Sequence, residues 1–179
     1  VLVSRAFTPR RVAGLEPRIR TIARELLDAA GPRADLAGQF AAKLPSRIMA
    51  ELIGIPEEQR ETFRELTESF IETDGRTREE SVRRLQRIHD MFDDLLQQRR
   101  RRPADDLMSA LLAAEVDGQR LTDDELQGFC FLLLIAGNDT TTSLIGNGIA
   151  LLAEHPEQRA ELVADPSLIT GAVEEMVRL

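Results

Sequence analysis

The feature that most constrains this chain is the stretch from residue 122 to residue 154, which predicts one long helix. Thr122 and Glu125 have the spacing of a capping box, which satisfies two free backbone N–H groups at a helix start. The helix should end at His155, because Pro156 follows it and the residue before a proline avoids the helical region. A helix this long exceeds ordinary surface helices, so we expect it to lie in the core.

The middle of this helix changes abruptly from apolar to polar residues. Every residue from Phe129 to Ala136 is apolar, which predicts burial on all sides. The run is nevertheless too short to cross a bilayer, which needs about 20 apolar residues. A polar, helix-weak run follows from Gly137 to Ser143, and buried polar groups without partners cost about 1–3 kcal/mol each. Residues that are unfavourable inside a buried helix are typical of a functional site.

Small residues and hydroxyls that share one helix face occur twice in this run, with a spacing of four: Ala136 and Thr140, Gly137 and Thr141. Each pair would leave a shallow strip against which a large planar group could pack. A threonine hydroxyl can bond the carbonyl four residues back and bend the helix, and Asp139 could relay protons to a water nearby. The alternative is a packing seam, in which small residues allow close approach and hydroxyls bond their own backbone.

Six consecutive residues resemble the signature of the central helix of cytochrome P450 enzymes, the haem-thiolate monooxygenases: Ala136-Gly137-Asn138-Asp139-Thr140-Thr141. The family's second element, Glu-x-x-Arg, is supplied by Glu175 and Arg178. The resemblance implies that these two form a buried structural ion pair near the haem. Weaker similarity extends over three more stretches, in the family's order: 3–10, 44–56 and 105–112.

The fold implied by this resemblance is all-α, a partial cytochrome P450 fold that forms one domain over residues 1–179. Periodicity and turn residues predict these helices: 9–30, 45–53, 57–72, 77–101, 105–115, 122–154, 157–163 and 168–179. By comparison with the family, we expect the domain to be truncated at both ends. The cysteine loop that holds the haem iron would lie beyond Leu179, and the N-terminal part would precede Val1.

The resemblance also implies roles for individual residues. Asp139 and Thr140 would be catalytic, managing proton delivery during oxygen activation. Ala136 and Gly137 would give the haem and O₂ room. The full set of cofactor-binding residues implied by the motif is Ala136, Gly137, Thr140 and Thr141. The substrate pocket would include three apolar residues: Phe70, Ile71 and Leu133.

The function implied is monooxygenation of a small organic substrate with O₂ and two electrons. The cofactor would be haem b, and the electron donor a ferredoxin or a flavoprotein. Cys130 lies in an apolar run and is expected to be a small buried hydrophobe, so residues 1–179 would supply no metal ligand and be inactive alone. Two alternatives are a haem-thiolate peroxygenase, which the Asp–Thr pair argues against, and a non-enzymatic helical fragment.

Composition limits the remaining possibilities. The chain has 23 basic and 31 acidic residues and a net charge of −8, which argues against general nucleic-acid binding. One cysteine excludes a disulfide framework, and no signal peptide or membrane span is recognisable, so a cytoplasmic protein is expected. Lys43 is the only lysine among many arginines and alanines, which favours a bacterial GC-rich source.

Overall fold

A computed structural model of the chain describes residues 9–68, 77–116 and 118–178. These residues are almost wholly helical, which confirms the all-α prediction. The helices are α1 (Pro9–Ala30), α2 (Lys43–Ile53), α3 (Arg60–Glu68), α4 (Arg78–Arg101), α5 (Leu107–Ala113), α6 (Asp123–Glu154), α7 (Pro156–Ala164) and α8 (Ile169–Arg178). Short π- or 3₁₀-helical turns lie at Ala37–Ala41, Glu57–Gln59 and Pro166–Leu168, and β1 (Glu115–Val116) pairs antiparallel with β2 (Gln119–Arg120).

The central helix α6 has the boundaries that its sequence predicts. Thr122 is the N-cap, and its hydroxyl accepts from the backbone N–H of Glu125 at 3.3 Å. The Glu125 carboxylate accepts in turn from the backbone N–H of Thr122 at 2.8 Å. These two bonds complete the predicted capping box. The helix ends at Glu154, one residue before the C-cap His155.

The helix predicted over 105–115 is shorter in the structure, for a local reason. Asp106 acts as an N-cap, because its Oδ1 accepts from the backbone N–H of Ser109 at 2.8 Å, so the helix begins at Leu107. It ends at Ala113, because strand β1 follows. The π-helical turn at Ala37–Ala41 is another departure, since no helix is predicted there.

Helix α2 lies at the centre of the packing, against α1, α3 and α6. Its C-terminal half belongs to the larger apolar cluster, in which Met49, Ala50 and Ile53 pack with residues of α6 that include Cys130 and Leu134. Its N-terminal half contributes Leu44 to a smaller cluster of buried residues, in which Leu44 packs with Ile22 and Leu26 of α1. The partly buried Ile145 of α6 packs against this smaller cluster. Helices α2 and α6 therefore run antiparallel.

The end of α2 is clamped by a buried arginine. Arg99 of α4 donates from Nη2 to the carbonyl of Gly54 at 2.7 Å and forms an ion pair with Asp106. The side chains are 13% and 5% exposed, respectively. Gly54 has φ +100°, and a Cβ there would collide with the Asp106 carboxylate, so glycine is required. The clamp joins α2, α4 and α5.

A second set of ion pairs joins α1 and α3 to the same region of α2. Arg18 donates to Glu51 at 2.7 Å from Nε, and Arg60 donates to the same carboxylate at 2.9 Å. The hydrogen bond from Arg18 lowers the pKa of Glu51 below its usual value, so this carboxylate stays ionised. Arg60 also donates to the carbonyl of Ile55 at 3.3 Å. The beginning of α3 is thereby held to the end of α2.

The described residues cover α6 on one side only. Leu132 is 62% exposed and Ile135 is 42% exposed, so the expectation that this apolar run is buried on all sides is wrong. The cause is that the buried residues of α6 in the larger apolar cluster, which are Leu126, Cys130 and Leu134, share one helix face, and α2, α4 and α5 contribute to the same cluster. By length and mean hydropathy of 1.3, α6 could cross a membrane, with 17% of its most apolar window buried. Core helices meet the same criteria, and the polar run interrupts this one.

We predict that Arg99→Ala lowers the free energy of unfolding by about 3–5 kcal/mol, because it leaves the buried Asp106 carboxylate without its cation. Arg101→Ala is the matched control, since that arginine is exposed on the last turn of the same helix. Denaturant unfolding of both variants measures the difference. Equal losses of unfolding free energy in the two variants would contradict the role of Arg99 in holding the end of α2.

Candidate functional site

Helix α6 has two faces with different surroundings. Its buried face contains Leu126, Cys130, Leu134 and Asn138, which are spaced by four and point toward the packed core. The opposite face is exposed along several turns. We call its exposed members the open strip: Leu132, Ile135, Ala136, Asp139, Thr140 and Ser143.

Thr140 lies on the open strip and bonds its own helix. Its hydroxyl donates to the carbonyl of Ala136 at 2.5 Å, which confirms the expected bond to the residue four positions back. This bond competes with the backbone N–H of Thr140 for the same acceptor, and such competition bends helices. Asp139 is exposed beside Thr140. The structure thus brings a hydroxyl, a carboxylate and the small Ala136 to one accessible surface.

The other members of the six-residue motif have different surroundings. Gly137 faces helix α2, where an added Cβ would lie 3.2 Å from Met49 Sδ. Its small size therefore serves the α2–α6 contact. Asn138 is 4% exposed on the buried face, whereas Thr141 is exposed. The motif therefore has both features that the sequence left as alternatives. Gly137 forms a packing seam with α2, and Ala136, Asp139 and Thr140 lie on the accessible surface.

Of the three residues predicted for a substrate pocket, the structure describes Leu133 alone. Leu133 is partly buried and packs against the larger apolar cluster. Its neighbour Leu132 is the leucine on the open strip. Phe70 and Ile71 lie outside the described residues.

The ion pair predicted on the last helix forms, but it is not buried. Arg178 donates from Nε to Glu175 Oε2 at 2.8 Å. The Arg178 and Glu175 side chains are 68% and 64% exposed, so the expectation of a buried pair is wrong for the described residues. The cause is that α8 packs against α6 and the turn before it, and neither covers this pair. Helix α8 approaches α6 closely at Gly148, where an added Cβ would lie 2.7 Å from Met176 Sδ.

Cys130 has the surroundings of a structural thiol. It is fully buried in the larger apolar cluster. Burial raises the pKa of its thiol to about 12, with a smaller contribution from the negative charge of Asp106. The thiol therefore stays protonated near neutral pH, and a protonated thiol is a poor metal ligand. This agrees with its interpretation as a small buried hydrophobe.

Two further residues of α6 are candidates for a functional role that the sequence did not indicate. Asn138 Oδ1 and Thr142 Oγ1 are both buried without a hydrogen-bond partner among the described residues. Asn138 is the variable position of the motif and Thr142 lies just outside it, so resemblance gave neither a role. Their spacing of four was the available signal, because residues so spaced share a helix face.

Comparison with known proteins connects these features to one family. The family described as Cytochrome P450 matches residues 57–174. The chain is 42% identical to the vitamin D(3) 25-hydroxylase of Pseudonocardia autotrophica over 181 residues, covering 99% of this chain and 44% of that protein. It is also 42% identical to the cytochrome P450 monooxygenase PikC of Streptomyces venezuelae over 182 residues, covering 99% of this chain and 43% of that protein.

A solved structure gives the same result for the fold. Cytochrome P450 CYP109Q5 from Chondromyces apiculatus superposes with a TM-score of 0.92 at 44% sequence identity. The match covers 99% of this chain and 45% of that one. The chain therefore spans slightly less than half the length of these relatives.

We predict that Cys130 resists alkylation in the folded protein at pH 8 and reacts only after unfolding, because its thiol is buried and its pKa is raised to about 12. Labelling with iodoacetamide, followed by mass spectrometry of the peptide that contains Cys130, measures this. The same protein labelled in denaturant is the control. Labelling of the folded form at the rate of a free exposed thiol would refute the assignment.

Proposed function

This chain belongs to the cytochrome P450 family, and on that premise we propose that it is part of a haem-dependent monooxygenase that oxidises a small organic substrate with O₂ and two electrons. The observation that carries the proposal is the open strip, which presents Ala136, Asp139 and Thr140 of the family motif on one accessible face. Relatives described as a hydroxylase and a monooxygenase support the same reaction class.

The open strip suits a large flat apolar group such as haem b. Ala136 has no bulk beyond a methyl group, and the exposed Leu132 and Ile135 supply apolar surface around it. In this proposal Ala136, Thr140 and the neighbouring Thr141 would contact the haem, while Gly137 lets α6 approach α2. When bound, the haem supplies the activation of O₂, assisted by a cysteine thiolate. Cys130 is unsuited to that role, because its thiol is buried and its pKa is raised.

Asp139 and Thr140 have complementary proton chemistry in this proposal. The Thr140 hydroxyl, held at the Ala136 carbonyl, can order a water through its oxygen lone pairs. The exposed Asp139 carboxylate can take a proton from solvent and pass it to that water. The Glu175–Arg178 pair would support the fold around the haem rather than take part in the reaction.

Residues 1–179 would form part of a single P450 domain, with either a ferredoxin or a flavoprotein as electron donor. The bacterial sources of the relatives support a bacterial, cytoplasmic enzyme. A peroxygenase is the second candidate within the haem-thiolate class. The presence of both Asp139 and Thr140 favours the monooxygenase, because electron-driven O₂ activation needs protons delivered to the site.

We predict that Thr140→Ala in the haem-bound protein still consumes NAD(P)H through its redox partners but yields less product per reducing equivalent, with the difference appearing as peroxide. Asp139→Asn should instead reduce turnover by about 100-fold, at the lower end of the contribution of a positioned proton-transfer group. Measuring product, peroxide and NAD(P)H together separates these effects.

Thr21→Ala is the matched control for the loss of a threonine hydroxyl. Thr21 donates to the carbonyl of Pro17 at 3.0 Å, which is the same four-residue bond on the exposed surface of α1. This variant should keep the unsubstituted ratio of product to reductant. If Thr140→Ala also keeps that ratio, the run from Gly137 to Ser143 is a packing seam and the proposed proton route is wrong.

A further inference from the structure

The core face of α6 carries two polar atoms that no described residue satisfies. Asn138 is 4% exposed and its Oδ1 is buried without a hydrogen-bond partner. Thr142 Oγ1, one helical turn later, is buried without a partner as well. Neither residue belongs to the open strip. Their oxygens lie where a packed core would ordinarily hold apolar atoms.

The antiparallel packing of α2 on α6 locates this pair. Leu134, four residues before Asn138, belongs to the larger apolar cluster with Met49. Ile145, three residues after Thr142, packs against the smaller cluster that contains Leu44. The two oxygens therefore lie between the two apolar clusters of the core. They form a polar break at the point where one cluster ends and the other begins.

We propose that Asn138 Oδ1 and Thr142 Oγ1 bind one buried water molecule between them. Side chains four apart on a helix have Cβ atoms about 5–6 Å apart, which is close enough for one water to reach both oxygens. The amide oxygen only accepts, whereas the hydroxyl can donate or accept, so a water that donates to Asn138 satisfies both groups. Buried waters in proteins typically satisfy such polar groups.

The water bridge spans the helical turn that carries Asp139 and Thr140 on the opposite face. On that face, the Thr140 hydroxyl bonds the Ala136 carbonyl and favours a bend. The water bridge from Asn138 to Thr142 holds the same helical turn on its core face. Asn138 and Thr142 are thus positioning residues for Asp139 and Thr140. This second step rests on the proposed function, whereas the water site does not.

The first test is the sign of a stability change in the haem-bound protein. Thr142→Val keeps the shape and removes the hydroxyl. If that hydroxyl binds a buried water, the variant should lower Tm by roughly 2–4 °C, because Asn138 loses its bridge. Thr170→Val is the matched control, since it makes the same change at an exposed position of α8 and should shift Tm little. A higher Tm for Thr142→Val would overturn the proposal, because removal of an unpaired buried hydroxyl is stabilising.

The second test is a double-mutant cycle with Asn138→Leu. Two groups that share one water should be non-additive, so the double variant should recover part of the loss in Tm caused by the single changes. Strictly additive losses would overturn the shared water. Should a variant fail to fold, a high-resolution crystal structure of the unsubstituted protein decides the question. Electron density for a water about 3 Å from both oxygens is expected, and direct bonding of either oxygen to protein alone would refute it.

The positioning role has its own readout. Thr142→Val should lower the product formed per NAD(P)H, and Thr142→Ser, which restores the hydroxyl, should recover it. If Thr142→Val lowers Tm but leaves this ratio unchanged, the water is structural and the positioning role is wrong. Because the Tm cycle involves no turnover, failure of the proposed monooxygenase function would leave the water site intact.

Discussion

The close approach of α2 and α6 at Gly137 determines which surfaces of this protein are buried. A Cβ at Gly137 would lie 3.2 Å from Met49 Sδ, so a larger residue would force the helices apart or displace the methionine. With α2 seated there, the face of α6 that contains Cys130 and Leu134 joins the core. The face that contains Ala136 and Thr140 is left accessible. The contact at Gly137 therefore helps to fix which face of α6 lies against α2.

Electrostatic contacts hold the rest of the helices to the same element. The end of α2 receives Arg99 at the Gly54 carbonyl and Arg60 at the Ile55 carbonyl, so two consecutive carbonyls anchor α4 and α3. Glu51, one turn earlier, accepts from both Arg18 and Arg60. Carbonyls at a helix end have no partner within the helix, which makes them available to arginine donors. The apolar packing and the charged anchors thus converge on one short helix.

Sequence alone predicted the parts of this fold that depend on local rules. The capping box of Thr122 and Glu125 and the end of α2 at Gly54 follow from neighbouring residues, and the structure has both. The family motif identified three residues of the open strip: Ala136, Asp139 and Thr140. Local rules could not predict that Leu132 is exposed while Leu133 packs in the core, because an uninterrupted apolar run does not distinguish the faces of its helix. That distinction depends on which neighbouring helices cover it.

The same limit explains the residues whose surroundings differ from their predicted roles. Gly137 serves the contact with Met49, and the sequence alone could not identify its neighbour. The pair of Glu175 and Arg178 forms because three-residue spacing brings the side chains together, but its burial depends on distant segments and is not found here. Local spacing determines which side chains meet, whereas tertiary packing determines whether water reaches them.

The polar run in the middle of α6 affects which face of this helix packs against α2. A helix that were apolar throughout would pack on α2 equally well in several rotations, and nothing would select the face that presents Asp139. Asn138 and Thr142 restrict that choice, because each has a buried oxygen on the core face that needs a partner, which we propose to be one shared water. Gly137 restricts it further, since only one position on the helix allows the close approach to Met49. The residues that weaken the helix locally are therefore those that orient Asp139 and Thr140 toward the open strip.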